Sequence, residues 1–235
     1  MSRRILEART LRFAYPDGPN EALRGASLAL SDGEKLAVIG ANGSGKSTLL
    51  LLLAGAMATS RGEIFLHGAP VGKDLAQLRG AVGLVFQDPD DQLFMPLAVE
   101  DVAFGLVARG VPVGEAQARA RDALADLGVA HLADRAPHRL SGGEARRVAL
   151  AAILVMEPEV LALDEPTSSL DPRARRLLIQ TLRDMDRPMI VATHDLDMAR
   201  AVCGRTIVLH EGLVAAEGPT SELLGDAVLL DHCGL

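Results

Sequence analysis

At 235 residues the chain can bury a sizeable core within one large α/β domain, with room for an inserted subdomain, whereas two complete domains would be a squeeze. A net charge of -7 and a pI near 5.4 exclude a broad nucleic-acid surface, because tracking phosphates needs a basic stripe. Apolar residues make up 49% of the chain and aromatics only 3%, so the core is expected to be aliphatic and helix-rich, with no disorder.

The start, Met-Ser-Arg-Arg-Ile-Leu-Glu, has two positive residues with no apolar run behind them, and it does not read as a secretory signal. Ile5 to Tyr15 and Leu23 to Leu30 alternate apolar and polar side chains, which predicts two strands facing a core on one side. The turn Pro16-Asp17-Gly18-Pro19-Asn20 would join them. Lys35 to Ile39 is a short apolar strand, followed by a Gly-rich loop and an apolar helix over Ser47 to Ala56. The apolar run inside that helix, Leu49 to Ala54, is far below the roughly 20 residues that span a bilayer. Membrane contact must therefore go through a partner.

Glu63 to Leu66 and Val82 to Phe86 add strands, after which the pattern turns helical over Val99 to Arg109, Glu115 to Leu127 and Gly142 to Met156. This predicts a helical subdomain, 88–157, inserted into a core made of 1–87 and 158–235. Strands return at Val160 to Leu163 and Met189 to Thr193, each after a helix, giving the βα alternation of a parallel sheet. Arg205 to Ala216 reads as a hairpin turning at Glu211-Gly212, and Leu223 to Leu235 as a short helical tail. Cys203 and Cys233 are too few and too far apart for a disulfide framework, which suits a reducing cytoplasm. His67, His131, His138, His210 and His232 form no ligand spacing.

Gly40-Ala41-Asn42-Gly43-Ser44-Gly45-Lys46-Ser47 fills every fixed position of the phosphate-loop pattern GxxxxGK[ST], between a predicted strand and a predicted helix. In such a loop the glycines let backbone N–H groups face the β-phosphate, and the helix N-terminus adds its positive dipole end. Lys46 would reach the terminal phosphates, and the Ser47 hydroxyl would hold Mg²⁺, with Thr48 beside them in the nucleotide site. Val160-Leu161-Ala162-Leu163-Asp164-Glu165 is an apolar strand ending in two carboxylates, where open α/β sheets present their ligand crevice. Asp164 is placed for the Mg²⁺ shell, and Glu165 could polarise a water that attacks the γ-phosphate. Leu140-Ser141-Gly142-Gly143-Glu144 opens a predicted helix with Ser141 as its N-cap.

The order of these three motifs resembles that of the ATP-binding subunits of ABC transporters over nearly the whole chain. The resemblance implies an α/β phosphate-loop NTPase fold with a parallel-sheet core, an antiparallel β subdomain and an inserted helical subdomain. It implies a cytoplasmic-face ATP hydrolase that uses ATP and Mg²⁺, paired with a second copy or a similar ATPase. In that pair Ser141, Gly142, Gly143 and Glu144 reach the γ-phosphate held by the other subunit. By the same resemblance Gln87 touches Mg²⁺ and water and reports to a transmembrane partner. Ser168-Ser169-Leu170-Asp171 crosses the dimer interface, His194 contacts the γ-phosphate, and Tyr15, the only tyrosine, stacks on adenine.

Gln87-Asp88-Pro89-Asp90-Asp91-Gln92-Leu93-Phe94, with Val99-Glu100-Asp101-Val102-Ala103-Phe104-Gly105 behind it, is similar to the ATPases of prokaryotic energy-coupling-factor importers. That group takes up cobalt, nickel, biotin or other vitamins, and cobalt is the favoured cargo. Glu144 stands where most ABC proteins have Gln and fits the group. Leu93, Phe94 and Met95 lie in a Pro-bounded loop and would form a docking groove for an amphipathic helix of the membrane subunit; the alternative is that Leu93 and Phe94 pack inward. Two other classes compete with transport. A soluble ABC protein acting on DNA or ribosomes would carry long insertions or two motor domains, and a small-molecule kinase would leave Ser141, Asp171 and His194 unexplained.

Overall fold

The computed structural model of the chain describes residues 3–16 and 20–235, so Asp17 to Pro19 of the first turn lie outside the described residues. In chain order the elements are β1 (Arg4–Ala14), β2 (Glu21–Ser31), β3 (Lys35–Ile39), α1 (Lys46–Leu53), β4 (Arg61–Leu66), β5 (Ala69–Pro70), α2 (Ala76–Ala81) and β6 (Val82–Val85). Then come α3 (Ala98–Ala108), α4 (Val113–Asp126), α5 (Gly142–Leu154), β7 (Val160–Asp164), α6 (Pro172–Asp184), β8 (Met189–Thr193) and α7 (Leu196–Val202). The hairpin β9 (Arg205–His210) and β10 (Leu213–Pro219) is followed by α8 (Thr220–Leu223) and α9 (Ala227–His232).

The chain forms two compact units, Met1–Leu84 with Glu159–Glu165 and Met185–Leu235, and Val85–Pro158 with Pro166–Asp184. Two sheets build the first. The antiparallel one runs β2-β1-β4-β5 and the larger one β10-β9-β3-β8-β7-β6. In the larger sheet β3 pairs in parallel with both β8 and β9, and β7 pairs in parallel with β8. All five residues of β7 and of β8 are buried, as a parallel strand covered on both faces requires; this is why each is apolar up to its last residue, Asp164 in β7 and Thr193 in β8.

One aliphatic core joins the sheets through α1, whose Leu49, Leu50, Leu52 and Leu53 are at most 1% exposed and pack with Leu6, Leu30 and Ile190. Each buried leucine contributes about 1.5–3 kcal/mol, so this helix holds both the core and the loop before it. The β9–β10 hairpin turns at Glu211 and Gly212, with φ of 46° and 76°, the paired left-handed geometry of a two-residue hairpin turn. The Gly212 N–H donates to the Ser44 carbonyl at 3.0 Å, and its own carbonyl accepts from Arg24 at 2.8 Å. A Cβ at Gly212 would lie 2.8 Å from the Ala22 carbonyl oxygen.

The second unit is helical. On α4 the buried residues Ala116, Ala120 and Leu124 recur every four positions, and they face α3 and α5, whose buried residues include Val102, Ala103, Val148 and Ala149. Small alanines let the helix axes approach closely. The sequence pattern places 158–235 in the nucleotide-binding core. The contacts instead group Pro166–Asp184 with the helical unit. The cause is α6, which meets α5 so closely that a Cβ at Gly143 would lie 2.6 Å from Cβ of Ala174. The two short elements β5 and α2 carry too few residues for a readable period.

Candidate nucleotide site

β3 ends at Ile39, and the chain turns through Gly40–Gly45 into α1. Gly45 caps that helix at φ 104°, and a Cβ there would lie 2.5 Å from the Ala22 carbonyl oxygen. Only glycine fits, for conformation and for space. Lys46, 6% exposed, folds back over the loop and donates from Nζ to the carbonyls of Gly40 (2.8 Å) and Ala41 (3.2 Å). Ser44 is buried and its Oγ has no hydrogen-bond partner among the described residues, while Asn42, Gly43 and Ser47 are exposed. A buried hydroxyl without a partner costs about 1–3 kcal/mol. Phosphate oxygens beside it would remove that cost, so the loop fits the group its motif implies.

β7 delivers Asp164 and Glu165 to the same end of the parallel sheet. Glu165 sits in the left-handed region at φ 42° and is 5% exposed, with its N–H donating to the Ala192 carbonyl at 2.8 Å. Such a conformation is strained for a side chain without glycine's freedom and persists because the surroundings hold it. Oε2 accepts from the Thr193 hydroxyl (3.1 Å) and the His194 N–H (3.2 Å), and His194 Nδ1 lies 2.9 Å away. Oε1 has no hydrogen-bond partner among the described residues and lies 3.6 Å from Lys46 Nζ. One carboxylate oxygen is thus anchored, and the other faces the phosphate-loop lysine.

Thr193, fully buried, also accepts from the Asp195 N–H at 3.0 Å. Its place at the end of an apolar strand hides this role in the sequence, where the signal is a hydroxyl residue directly before His194. The His194 side chain is 59% exposed, with its Nδ1 against Glu165 Oε2.

The Tyr15 hydroxyl pairs with Thr48 Oγ1 at 3.1 Å, and its ring stands edge-on to Phe13 at 4.9 Å while 42% exposed. The hydroxyl is occupied, and the residue remains well exposed. Tyr15→Ala should therefore weaken ATP binding about 5- to 150-fold, the equivalent of about 1–3 kcal/mol of lost stacking, while Tyr15→Phe should cost little. Equal ATP affinity for wild type and Tyr15→Ala in a titration would remove Tyr15 from the site.

The structure places Tyr15, the loop from Gly40 to Thr48, Asp164, Glu165 and His194 in the first unit, and Gln87, Ser141 to Glu144 and Asp171 in the second. Within the second, Gln87, Leu140, Gly142 and Ser168 to Leu170 line one cavity of about 610 Å³. The Ser141 N–H and hydroxyl donate to Glu144 Oε2 at 2.8 and 2.7 Å, a reciprocal cap that holds the Glu144 carboxyl below the usual range. Ser169 takes φ 60°, and Asp171 Oδ1 accepts from the N–H groups of Arg173 and Ala174 at 2.8 and 3.0 Å.

Leu93 does not join Phe94 on the surface expected for docking. Leu93 is buried at 7% exposure, whereas Phe94 is 64% exposed and stands edge-to-face on Phe104 at 5.0 Å. Buried Asp101 accepts from the N–H groups of Phe94 and Met95, both at 2.9 Å, and so turns the loop with Leu93 inward and Phe94 outward. Burial raises the pKa of Asp101 against the pull of those two donors. His210 and His232 have ring centroids 5.7 Å apart, but among the described residues no group of three or more His, Cys, Asp or Glu could hold a metal ion.

A sequence profile described as "ABC transporter" matches residues 23–168. The chain belongs to the ABC transporter ATP-binding family. This ABC ATPase is 53% identical, over all of its length and 94% of the relative's, to a Geobacter sulfurreducens protein named as an ABC transporter ATP-binding protein. It is 43% identical to the energy-coupling factor transporter ATP-binding protein EcfA of Methanothermobacter thermautotrophicus, covering 98% of this chain and 76% of that one. Its fold matches that of cbiO1 from Clostridium perfringens, described as part of the ABC transporter complex cbiONQ, with a TM-score of 0.83 at 38% identity. The match covers 98% of this chain and 94% of that one. The ABC ATPase hydrolyses ATP in a reaction coupled to transport. Its relatives bind ATP, typically with Mg²⁺, and act as dimers with transmembrane subunits. No helix among the described residues is long and apolar enough to cross a membrane.

Proposed function

We propose that this ABC ATPase is the motor subunit of an energy-coupling-factor importer on the cytoplasmic face of a prokaryotic membrane, with cobalt the favoured cargo ahead of nickel, biotin or another vitamin. The observation that carries the catalytic part is the Glu165 carboxylate, anchored at Oε2 by Thr193 and His194 and turned at Oε1 toward Lys46. Lys46 holds the terminal phosphates, and its ammonium leaves Glu165 for them. Glu165 then takes the proton of the attacking water at Oε1, while Thr193 keeps the carboxylate in place. Ser47 and Asp164, joined by Gln87 as the family resemblance implies, would hold Mg²⁺, which would supply neutralising charge for the phosphates. His194, whose Nδ1 lies beside Oε2, contacts the γ-phosphate.

The importer assignment is supported by the segment Gln87 to Gly105, which resembles that group, and by the named energy-coupling-factor relative. One sequence holds both the phosphate-loop half and the Ser141 half of a site, so two copies suffice for two sites; a similar ATPase could replace one of them. ATP should therefore drive dimerisation of Glu165→Gln. Light scattering with and without Mg-ATP checks this, and a strictly monomeric protein at high concentration would overturn the homodimer. Copurification with the membrane subunits, followed by uptake of each candidate metal or vitamin, tests the transport reading and identifies the cargo.

A further inference from the structure

The backbone on either side of Gln87 is tied to helix α5 by two side chains. Arg146, 3% exposed, donates from Nη1 to the Phe86 carbonyl at 2.6 Å and from Nη2 to the Gln87 carbonyl. Gln92 comes from the opposite direction. Its Nε2 donates to the Ala149 carbonyl on α5 at 2.7 Å, and its Oε1 accepts from the Phe86 N–H at 3.4 Å. Between them the short turn Pro89–Asp91 is capped by Asp88, which accepts from the Asp90 N–H at 3.0 Å.

A guanidinium presents its donors as a planar fork, so two consecutive carbonyls bound by one fork are fixed in distance and in direction. Bonds from a charged donor are about twice as strong as neutral ones, and this pair comes from a buried group. Ser141 is held to the same helix by the Glu144 cap, and Arg146 lies five positions along, about 7.5 Å at 1.5 Å per residue. We infer that Arg146, seconded by Gln92, clamps the Gln87 segment to α5, so that the glutamine and the Ser141 motif move as one piece.

This rests on the proposed roles of Gln87 and Ser141. In an ATPase pair Gln87 answers to the nucleotide of its own subunit and Ser141 to that of its partner. The clamp therefore makes each subunit a mechanical link between the two sites, and Arg146 is a positioning residue that acts through Gln87.

Hydrogen exchange of the full chain without nucleotide is the first test. In Arg146→Met, whose apolar chain has similar length and no donors, the amides of Phe86 to Leu93 should exchange at least about 10-fold faster, with those of the first unit unchanged. Arg146→Lys, with one donor head, should recover part of the protection. Unchanged exchange in a folded Arg146→Met protein overturns the clamp. If that variant fails to fold, Gln92→Met carries the test, with faster exchange of the Phe86 amide expected and no change overturning it. Because no nucleotide is present, this measurement decides the clamp whatever roles Gln87 and Ser141 play in the site. The second test combines Arg146→Met with Gln87→Ala. A residue acting through Gln87 adds little to the loss of ATPase rate already caused by Gln87→Ala, whereas multiplied losses show an independent role and overturn the coupling.

Discussion

Glu165→Gln should bind Mg-ATP and hydrolyse it about 10²–10⁴-fold more slowly than wild type, the usual cost of losing general-base assistance. The geometry favours a clean result. The amide oxygen can still accept from Thr193 and the His194 N–H, as Oε2 does at 3.1 and 3.2 Å, so the side chain should keep its place while losing its basicity. The substitution also removes the charge 3.6 Å from Lys46, which frees the ammonium for phosphate and should hold ATP affinity at or above the wild-type level. Steady-state phosphate release together with nucleotide titration separates the two effects. A mutant that retains half the wild-type rate would give the catalytic step to another group.

The other large effect is expected on assembly with the membrane subunit. Phe94→Asp should leave ATP binding by the isolated subunit intact, yet abolish its association with the membrane partner and all transport. Phe94 is 64% exposed and touches Phe104, itself 46% exposed, so the pair presents an apolar patch suited to an amphipathic helix. A charge there costs little in the free subunit and much in a buried interface. Met95→Glu is expected to act in the same direction. Copurification and uptake are the measurements. If the isolated mutant unfolds, Phe94 is core after all, and if transport persists in full the docking surface lies elsewhere.

Much of the fold was legible in the sequence because each major element follows one simple period. Strands β3 and β8 fall on the residues read from their apolar runs, since the interior of a parallel strand covered on both faces must be apolar. The helices α3, α4 and α5 emerge within two residues of their expected ends, because one stripe of each must face its neighbours. The phosphate loop and the Asp164-Glu165 pair were legible for a different reason. Their chemistry needs particular residue types at fixed spacing along the chain, and backbone connectivity preserves that spacing.

The tertiary structure decided what depends on contacts between distant segments. Thr193 lies 28 positions from Glu165, and nothing in strand periodicity shows that its hydroxyl turns toward a carboxylate. The direction of Leu93 and Phe94 is set by Asp101, a helix residue whose carboxylate collects two loop N–H groups. Arg146 reads as one more charged residue on an amphipathic helix until the carbonyls of Phe86 and Gln87, 60 and 59 positions away, meet its guanidinium. The sequence by itself determined which elements form and which reactive groups the chain carries, because both are local. Which polar atoms are paired, and hence which groups are held still and which can act, only packing could decide, since a buried donor must find its acceptor wherever the fold places one.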